Sequence, residues 1–316
     1  MQVDSKRVSV VMCTFNGEKY LREQLDSIVS QEYPIYELII QDDGSTDKTI
    51  GIIKEYMEKY SYIKLYVNEQ NVGFNRNFKS AVMKATGDFI ALSDQDDVWF
   101  PDKIETQLNA IGDCSICCSY YVFGPDIKTA SVIKPKIGAE RVLFSSILGH
   151  TMLCRRNFIQ EEDTWLMPVW YDWGLAVNGF LKGGVTIVSK PLNWHRHHTG
   201  ETSFMAVKKK PKPFMPYLLG YKCYRKRQKT KAWKFMYSYI YERTGEDHLP
   251  LVHKISGLLL KTDIVSFLKL CAVCLAHRDK VYPQTEVGKG IMSYVRGFCF
   301  PLFWCYSNEH YFRDFY

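Results

Sequence analysis

The sequence predicts an α/β fold, a mixed, mostly parallel sheet flanked by helices, followed by a helical region that is basic and aromatic. Three observations carry this reading. Short apolar, β-branched runs alternate with amphipathic helical stretches through about residue 120. Clusters of Asp, Asn, Ser and Gly follow the apolar runs, at the strand ends where an open parallel sheet binds its ligands. Beyond Met205 the composition changes: no acidic residue occurs from Ser203 to Tyr241, while Lys208–Lys234 holds eleven Lys and Arg.

Val8–Cys13 reads as the first strand, and the helix after it presents Leu21, Leu25, Ile28 and Val29 at helical spacing. Glu37–Ile40 is the second strand. Ser45 and Asp47 then offer N-cap chemistry to a helix through Ile50, Ile53, Met57 and Tyr60. Ile63–Val67 is the third strand and Asn75–Ala85 the next helix. Phe89–Ser93 is the fourth strand, and Pro101 suits the first position of a helix reaching about Ile111. Ser115–Val122 is the fifth. From Gly124 to Gly184 the pattern is irregular, and it closes on a strand at Val185–Val188. Pro211, Pro213 and Pro216 then break the chain, so residues 1–205 are expected to form one domain and residues 206–316 a second, helical region.

With 316 residues, 46% hydrophobic and 24% charged, the chain has ordinary globular usage, which excludes wholesale disorder. Ten cysteines are too few for a disulfide scaffold. Cys114-x-x-Cys117-Cys118 falls in an expected core strand and Cys271-x-x-Cys274 on an apolar helical run, so both read as buried thiols rather than a zinc site. The net charge is +7, but the basic stretch accounts for it, since the remainder carries 30 Lys+Arg against 34 Asp+Glu. Within that stretch Tyr217, Tyr221, Tyr224, Trp233 and Phe235 interleave with the cations, and Phe298–Trp304 adds an apolar aromatic end. The choice is between a solvated face and a surface for anionic lipid headgroups, and the aromatics favour the lipid surface. Nucleic acid is not an expected partner, because no binding motif accompanies the charge. The apolar run Val8–Phe15 meets Asn16-Gly17-Glu18 without a cleavage site, and Ile255–Ala276 is broken by Lys261, Asp263 and Lys269. The expected place is therefore cytoplasmic, peripheral at the inner face of the cell membrane.

Three polar clusters follow strands: Thr14-Phe15-Asn16-Gly17, Asp42-Asp43-Gly44-Ser45 and Asp94-Gln95-Asp96-Asp97. Carboxylates this dense repel one another, and a divalent cation with hard oxygen ligands makes such a cluster tolerable. Neither G-x-x-x-x-G-K-[ST] nor G-x-G-x-x-G is present, so a metal bridging a diphosphate would replace a phosphate loop. Each cluster also has a plain reading. Asp42-Asp43-Gly44 alone is an ordinary turn, and Asp97 could cap the helix near Pro101. His195–His198 divides between a solvated loop and ligation, and His150 reads as a packed or hydrogen-bonded side chain.

Taken together, Val8-Ser-Val-Val-Met-Cys-Thr-Phe-Asn-Gly17, Gln41-Asp-Asp-Gly-Ser-Thr-Asp47 and Ser93-Asp-Gln-Asp-Asp-Val-Trp99 resemble the inverting family 2 glycosyltransferases of GT-A fold. Asn71-Val-Gly-Phe-Asn-Arg-Asn77, Tyr171-Asp-Trp-Gly-Leu-Ala176 and His195-Arg-His-His198 are similar to the rhamnosyltransferase-like branch. The resemblance covers roughly residues 7 to 204. It implies that Thr14, Asn16 and Asp43 hold the base and ribose of a nucleotide-diphospho-sugar, UDP- or dTDP-linked, with Asn75 and Arg196 also on the donor. It implies that Asp94 and Asp96 form the D-x-D element on Mn²⁺ or Mg²⁺, with Asp97 the nearest alternative ligand and His198 completing the metal or diphosphate site.

By the same resemblance Asp172 is the general base toward the acceptor hydroxyl, of a saccharide or lipid-linked saccharide in surface polysaccharide synthesis. Chemistry agrees, because an inverting transfer needs one carboxylate at the acceptor oxygen and positive charge on the leaving diphosphate. Trp170 and Trp173 flank Asp172 and could wall it and stack on sugar rings, while its plain alternative is a helix N-cap. Tyr171, Gly174 and His197 depart from the branch's His, second Trp and Gln, and the Asn expected in Thr199-Gly-Glu-Thr202 is missing. The departures bear on the acceptor. The rivals are a non-catalytic, membrane-docked scaffold that keeps the fold and a nucleotidyltransferase, which would usually need a Gly-rich loop near Thr14.

Overall fold

A computed structural model of the chain describes residues 6–167, 169–198, 214–282 and 290–307. The chain divides into two compact units: Met1–Lys134, Ile147–Trp165 and Lys182–His198 form one, and Pro135–Ser146, Leu166–Leu181 and Thr199–Tyr316 the other. The boundary expected near Met205, the cations Lys208–Lys212 and Thr199–Thr202 lie outside the described residues.

The first unit is built on a nine-stranded sheet in the order β3-β2-β1-β4-β8-β6-β9-β5, with β7 on β6. The strands are β1 (Val8–Thr14), β2 (Glu37–Asp42), β3 (Ile63–Val67), β4 (Phe89–Ser93), β5 (Val98–Trp99), β6 (Ile116–Gly124), β7 (Ser131–Ile133), β8 (Leu153–Arg155) and β9 (Val185–Arg196). Neighbours among β3, β2, β1 and β4 are parallel, so the chain must cross over after each of β1, β2 and β3. Helices α1 (Leu21–Val29), α2 (Thr49–Lys59) and α3 (Phe74–Val82) make those crossovers. Val8, Val10 and Met12 of β1 pack with Leu21, Leu25 and Ile28 of α1 in one apolar cluster. That packing holds the helix, whose nine residues would be marginal alone.

The second half of the sheet departs from the expected pattern. β8 runs antiparallel between β4 and β6, in a stretch whose apolar run is too short to announce a strand. β9 does not end at Val188 but continues through Arg196. Lys190, Pro191 and Asn193 hide this extension from any alternation pattern. Pro191 sits opposite Tyr120 where the β6/β9 register shifts, because proline has no N–H for the ladder. Past the shift Phe123 pairs with His195 and Gly124 with Arg196, so the histidine segment begins within a strand rather than as a solvated loop. The two residues of β5 pair antiparallel with β9, Val98 with Trp194 and Trp99 with Asn193. Helix α4 runs Lys103–Ala110 with Asp102 at its N-cap position, so Pro101 lies two residues ahead of it and Asp97 does not cap it.

The second unit is helical. Its α6 (Tyr171–Asn178) is joined in chain order by α7 (Met215–Arg227), α8 (Lys231–Glu242), α9 (Pro250–Leu260), α10 (Ile264–Ala276), α11 (Arg278–Val281), α12 (Ile291–Phe298) and α13 (Phe300–Ser307), counting the short α5 (Arg156–Ile159) of the first unit. Thr230 caps α8 by accepting the Trp233 N–H, and Asp263 caps α10 by accepting the Ser266 N–H. Tyr224 and Trp233 are both 1% exposed and pack edge to face at 5.6 Å. These two aromatics of the basic stretch are therefore core residues, which corrects their assignment to a membrane interface. Trp304 is likewise buried, donating to the Phe144 carbonyl. Ile255–Ala276 is two helices parted at Lys261–Asp263, and no described helix is long and apolar enough to cross a membrane. All ten cysteines are free, and burial pushes the Cys117 thiol up to about 12.

Candidate active site

The three polar clusters stand at the carboxyl ends of β1, β2 and β4, where parallel strands leave their loops free to carry chemistry. Thr14 and Asp42 are register partners, and the Thr14 hydroxyl donates to Asp42 Oδ2 at 2.7 Å. Asp42 also accepts from the Gly44 and Ser45 amides and the Ser45 hydroxyl, so it builds the turn. Asp43 faces elsewhere. Its carboxylate accepts from Asn68 Nδ2 (2.7 Å), the Val72 N–H (2.8 Å) and the Gly73 N–H (3.0 Å). Gly73 presents that amide at φ +83°, a conformation that costs glycine little. Asn75 is buried two residues on, in the first turn of α3. Asn16, at φ +47°, accepts from the Thr46 N–H at 2.9 Å and ties the first loop to the second.

Gln95 ties the first loop to the third. Its amide oxygen accepts the Phe15 N–H at 2.9 Å, and its Nε2 donates to the Phe15 carbonyl at 3.1 Å. Gly17 leaves room for it, because a Cβ there would stand 2.2 Å from Gln95 Oε1. Asp94 is half-buried at the end of β4. Burial first, then the charges of Asp94 and Asp43, pushes the Cys13 thiol well up.

The adjacent carboxylates Asp96 and Asp97 have different surroundings. Asp96 is 20% exposed at its side chain, and its Oδ2 lies 2.8 Å from His198 Nε2. Burial, with Asp97 beside it, raises the Asp96 carboxyl above its ordinary range, and His198 opposes that rise. Asp97 is fully buried. Its Oδ1 lies 2.9 Å from His195 Nδ1, its Oδ2 lies 3.1 Å from His150 Nδ1, and Asn193 Nδ2 donates to it at 3.3 Å. Burial alone would raise Asp97, but the charge and hydrogen bond of His195 and the backbone hydrogen bond from Arg196 help hold this carboxyl below its ordinary range. Burial lowers His150 to about 3, so its ring stays neutral. Asn193 Nδ2 lies 2.7 Å from His150 Nδ1, the same ring nitrogen that faces Asp97 Oδ2 at 3.1 Å. His150 stacks on His195 with centroids 4.6 Å apart. Ligand atoms of Asp97, His150 and His195 lie within 4.8 Å of one another, a set that could hold a metal ion.

β9 delivers the remaining groups. Arg196 donates through Nε to the Asp96 carbonyl at 3.2 Å and pairs with Glu23. Its guanidinium lies 4.1 Å from the Trp194 ring centroid and 4.7 Å from that of Tyr20. Tyr20 also meets His198, with ring centroids 4.7 Å apart. Tyr20, Glu23 and Asn193 are not among the residues the sequence motifs single out. Tyr20 and Glu23 are three apart at the start of α1, a spacing that puts them on one face and was the available signal.

Asp172, in the second unit, lies in the first turn of α6 and is 7% exposed. Its Oδ1 accepts the next residue's N–H at 2.7 Å, while Trp170 holds the N-cap position. Trp173 is fully buried and donates to the Val142 carbonyl, so it is a core residue and not a platform for sugar rings. Trp170 is half-buried.

The model for glycosyl transferase family 2 matches residues 9–159. The uncharacterized glycosyltransferase RP339 of Rickettsia prowazekii is 31% identical over 219 residues, 64% of this chain and 68% of that protein.

The chain belongs to glycosyl transferase family 2.

Bacillus subtilis TuaG, named for teichuronic acid biosynthesis, is 30% identical over 159 residues, 50% of this chain and 63% of TuaG. This family 2 chain spans 37%, 53% and 59% of the length of three other curated relatives. S. aureus TarS 1-349 in complex with UDP-GlcNAc superposes with a TM-score of 0.58 at 17% identity, covering 87% of this chain and 82% of TarS 1-349. The mannosyltransferase PcManGT from Pyrobaculum calidifontis, in complex with GDP-Man and Mn²⁺, gives 0.55 at 16% identity over 96% of this chain and 87% of PcManGT. At these identities the likeness is one of fold, and that fold is GT-A.

Proposed function

We propose that this chain is an inverting glycosyltransferase that moves a sugar from a nucleotide-diphospho-sugar to a saccharide hydroxyl in surface polysaccharide synthesis. The observation that carries the reading is the Asp96–His198 pair, held at the strand ends by the buried Asp97–His195–His150 set. A carboxylate oxygen and an imidazole nitrogen 2.8 Å apart suit neighbouring ligands of one ion with bonds of about 2.1 Å, and mixed O/N donors suit Mn²⁺. Asp96 and His198 would hold the ion, with Asp94, which does not share a ligand cluster with them among the described residues, closing on it only once the donor is bound, and Asp97 acts from behind by fixing His195. A bound Mn²⁺ or Mg²⁺ supplies positive charge to the departing nucleotide diphosphate.

The chain's own groups do the rest. Asp43 and Asn75, with the loop braced by Thr14 and Asn16, receive the base and ribose. The fixed guanidinium of Arg196 sits where a phosphate oxygen would compete with Glu23 for it. Asp172 removes the acceptor proton, the freed oxygen attacks the anomeric carbon, and the bond to the diphosphate breaks with inversion. TarS binding UDP-GlcNAc supports a UDP- or dTDP-linked donor, and the naming of TuaG supports a polysaccharide acceptor, which we assign to a lipid carrier at an anionic, cytoplasmic membrane face.

The test is metal-dependent nucleotide release from UDP-, dTDP- and GDP-sugars by wild type, Asp96→Ala and Asp172→Asn. Turnover of one donor with Mn²⁺ or Mg²⁺, lost in both variants, is the expected result. Absence of both turnover and calorimetric donor binding across the panel would overturn the reading.

A further inference from the structure

Between α9 and α10, within the second unit, lies an open cavity of about 950 Å³ whose lining is largely apolar but whose cations are all lysines. Lys254 comes from α9, Lys261 from the segment after it and Lys269 from α10. None of the three has a carboxylate within salt-bridge distance among the described residues, although Glu246 also lines the cavity. One wall is Tyr241 stacked on His253 at 4.2 Å, and Gly257 makes that wall possible, since a Cβ there would stand 2.8 Å from the Tyr241 ring. Ser266 adds a hydroxyl from the first turn of α10. Three unpaired ammonium groups and a hydroxyl around one concavity are the chemistry of a phosphate site.

The same helix carries an exposed apolar set beside the cavity: Ile264 is 52% exposed, Val265 56% and Leu268 48%. Helix α12, packed on α10, adds Ile291 at 83% and Met292 at 57%. A free phosphate would need none of these groups. A second copy of the chain would have to bring like charges together across a symmetric contact, which repels. An anionic bilayer satisfies both, with phosphate at the lysines and acyl chains at the apolar residues.

We propose that the cavity between α9 and α10 receives the phosphate headgroup of an anionic membrane lipid while Ile264, Val265 and Leu268 enter the acyl layer beside it. This rests on the reading of the chain as acting at a membrane face, and it moves the contact from the Lys208–Lys234 stretch to α9 and α10.

The experiment is co-sedimentation of the full chain with vesicles of phosphatidylcholine alone or with about one-third phosphatidylglycerol. Wild type is compared with the cavity variant Lys254→Ala/Lys261→Ala/Lys269→Ala and with the equally charged control Lys54→Ala/Lys128→Ala/Lys134→Ala. The phosphatidylglycerol vesicles should bind wild type, and the cavity variant should lose roughly a hundredfold, about fivefold per lysine. The control should lose under about threefold. Leu268→Glu, which keeps the lysines, should also weaken binding, and thermal unfolding checks that each variant is folded. Equal losses in cavity and control variants overturn the site while leaving membrane attachment standing, as does a dimer in sedimentation equilibrium that the cavity variant abolishes. Wild type bound to neither vesicle overturns the membrane reading itself, and donor turnover is measured independently of it.

Discussion

Asp96 and Asp97 are neighbours in sequence with opposite expected responses to the same substitution. Asp97 is fully buried, and its carboxylate meets His195 at 2.9 Å, His150 at 3.1 Å and Asn193 at 3.3 Å. An asparagine there keeps one acceptor and turns an N–H₂ toward an imidazole, so at least one hydrogen bond to a charged group, about 1.5–3 kcal/mol, is lost. The leftover group is also buried without a partner, which brings the expected destabilisation of Asp97→Asn to about 3 kcal/mol. Asp96 is partly exposed with one side-chain partner, His198, among the described residues, so Asp96→Asn should cost under about 1 kcal/mol. Activity should run the other way. Asp96→Asn removes the carboxylate proposed to hold the ion and should lower donor turnover by at least a hundredfold at any Mn²⁺ concentration. Asp97→Asn loosens β9, the strand that leads to His198, so it should weaken apparent Mn²⁺ affinity by about 10–100-fold and recover at saturating metal. Urea unfolding gives the stabilities, and Mn²⁺ titration of nucleotide release gives the affinities. An Asp97→Asn enzyme as stable as wild type, or one that excess Mn²⁺ does not rescue, would refute the division of roles.

Three further outcomes follow from the packing. Lys103 is fully buried over the Trp99 ring with one partner, Gln107 at 2.9 Å, and burial lowers it to about 8 from 10.5. Between those values the unfolded chain holds the proton that the native state has lost, so this group makes stability rise with pH across about 8 to 10.5. Lys103→Met should flatten that rise and gain about 1–3 kcal/mol at pH 7, and urea midpoints at pH 7 and 10 read both effects. Glu37 accepts from Ser9, Lys64 and both the amide and hydroxyl of Thr86, and although burial opposes it these partners hold its carboxyl below its ordinary 4.5. Its contribution is therefore present above about 4.5 and lost as pH falls through the depressed value, so Glu37→Gln should cost about 1–3 kcal/mol at pH 7 and make the acid limb of a pH–stability profile shallower. Gly174→Trp, which restores the branch's usual residue, should destabilise by about 3 kcal/mol or more in thermal unfolding, because even a Cβ stands 3.2 Å from Leu166.

The parallel half of the sheet was legible because each of β1 to β4 is an apolar run ended by a polar cluster, and α1 to α3 show a one-sided apolar face. The other half was not. β5 has two residues and β9 carries Pro191 and Asn193, so neither shows a period, although their pairing brings Asp96 within reach of His198. The family resemblance grouped Asp94, Asp96 and His198 with Asp97 as the nearest alternative, but the motif carries no sign of how differently Asp96 and Asp97 are buried. The difference between Asp96 and Asp97 is one of burial, set by β9 covering one carboxylate and not the other. Aromatic residues misled for a similar reason. Trp173, Tyr224 and Trp233 look like binding groups beside charges, yet each is almost wholly buried, and the two tryptophans spend their indole N–H on a main-chain carbonyl.

The departures from the branch's wording take on a different meaning once the packing is known. Gly174 packs against Leu166, where even a Cβ would stand 3.2 Å away, so its smallness suits the packing of α6. Tyr171 is 7% exposed, again a packed position. His197 donates its N–H to the Gly124 carbonyl, and its ring meets Phe123 at 5.2 Å, while Phe123 stacks on His195 at 5.4 Å. An imidazole there supports His195, which in turn holds Asp97. Replacing His197 by glutamine should therefore act through that stack on the His195–Asp97 pair behind the proposed metal site, read as a weaker Mn²⁺ dependence of nucleotide release with acceptor preference unchanged. On the proposed role of Asp172, acceptor specificity would rest on groups that remain accessible, and among the residues singled out around Asp172 the half-buried Trp170 is the one that keeps a face to offer.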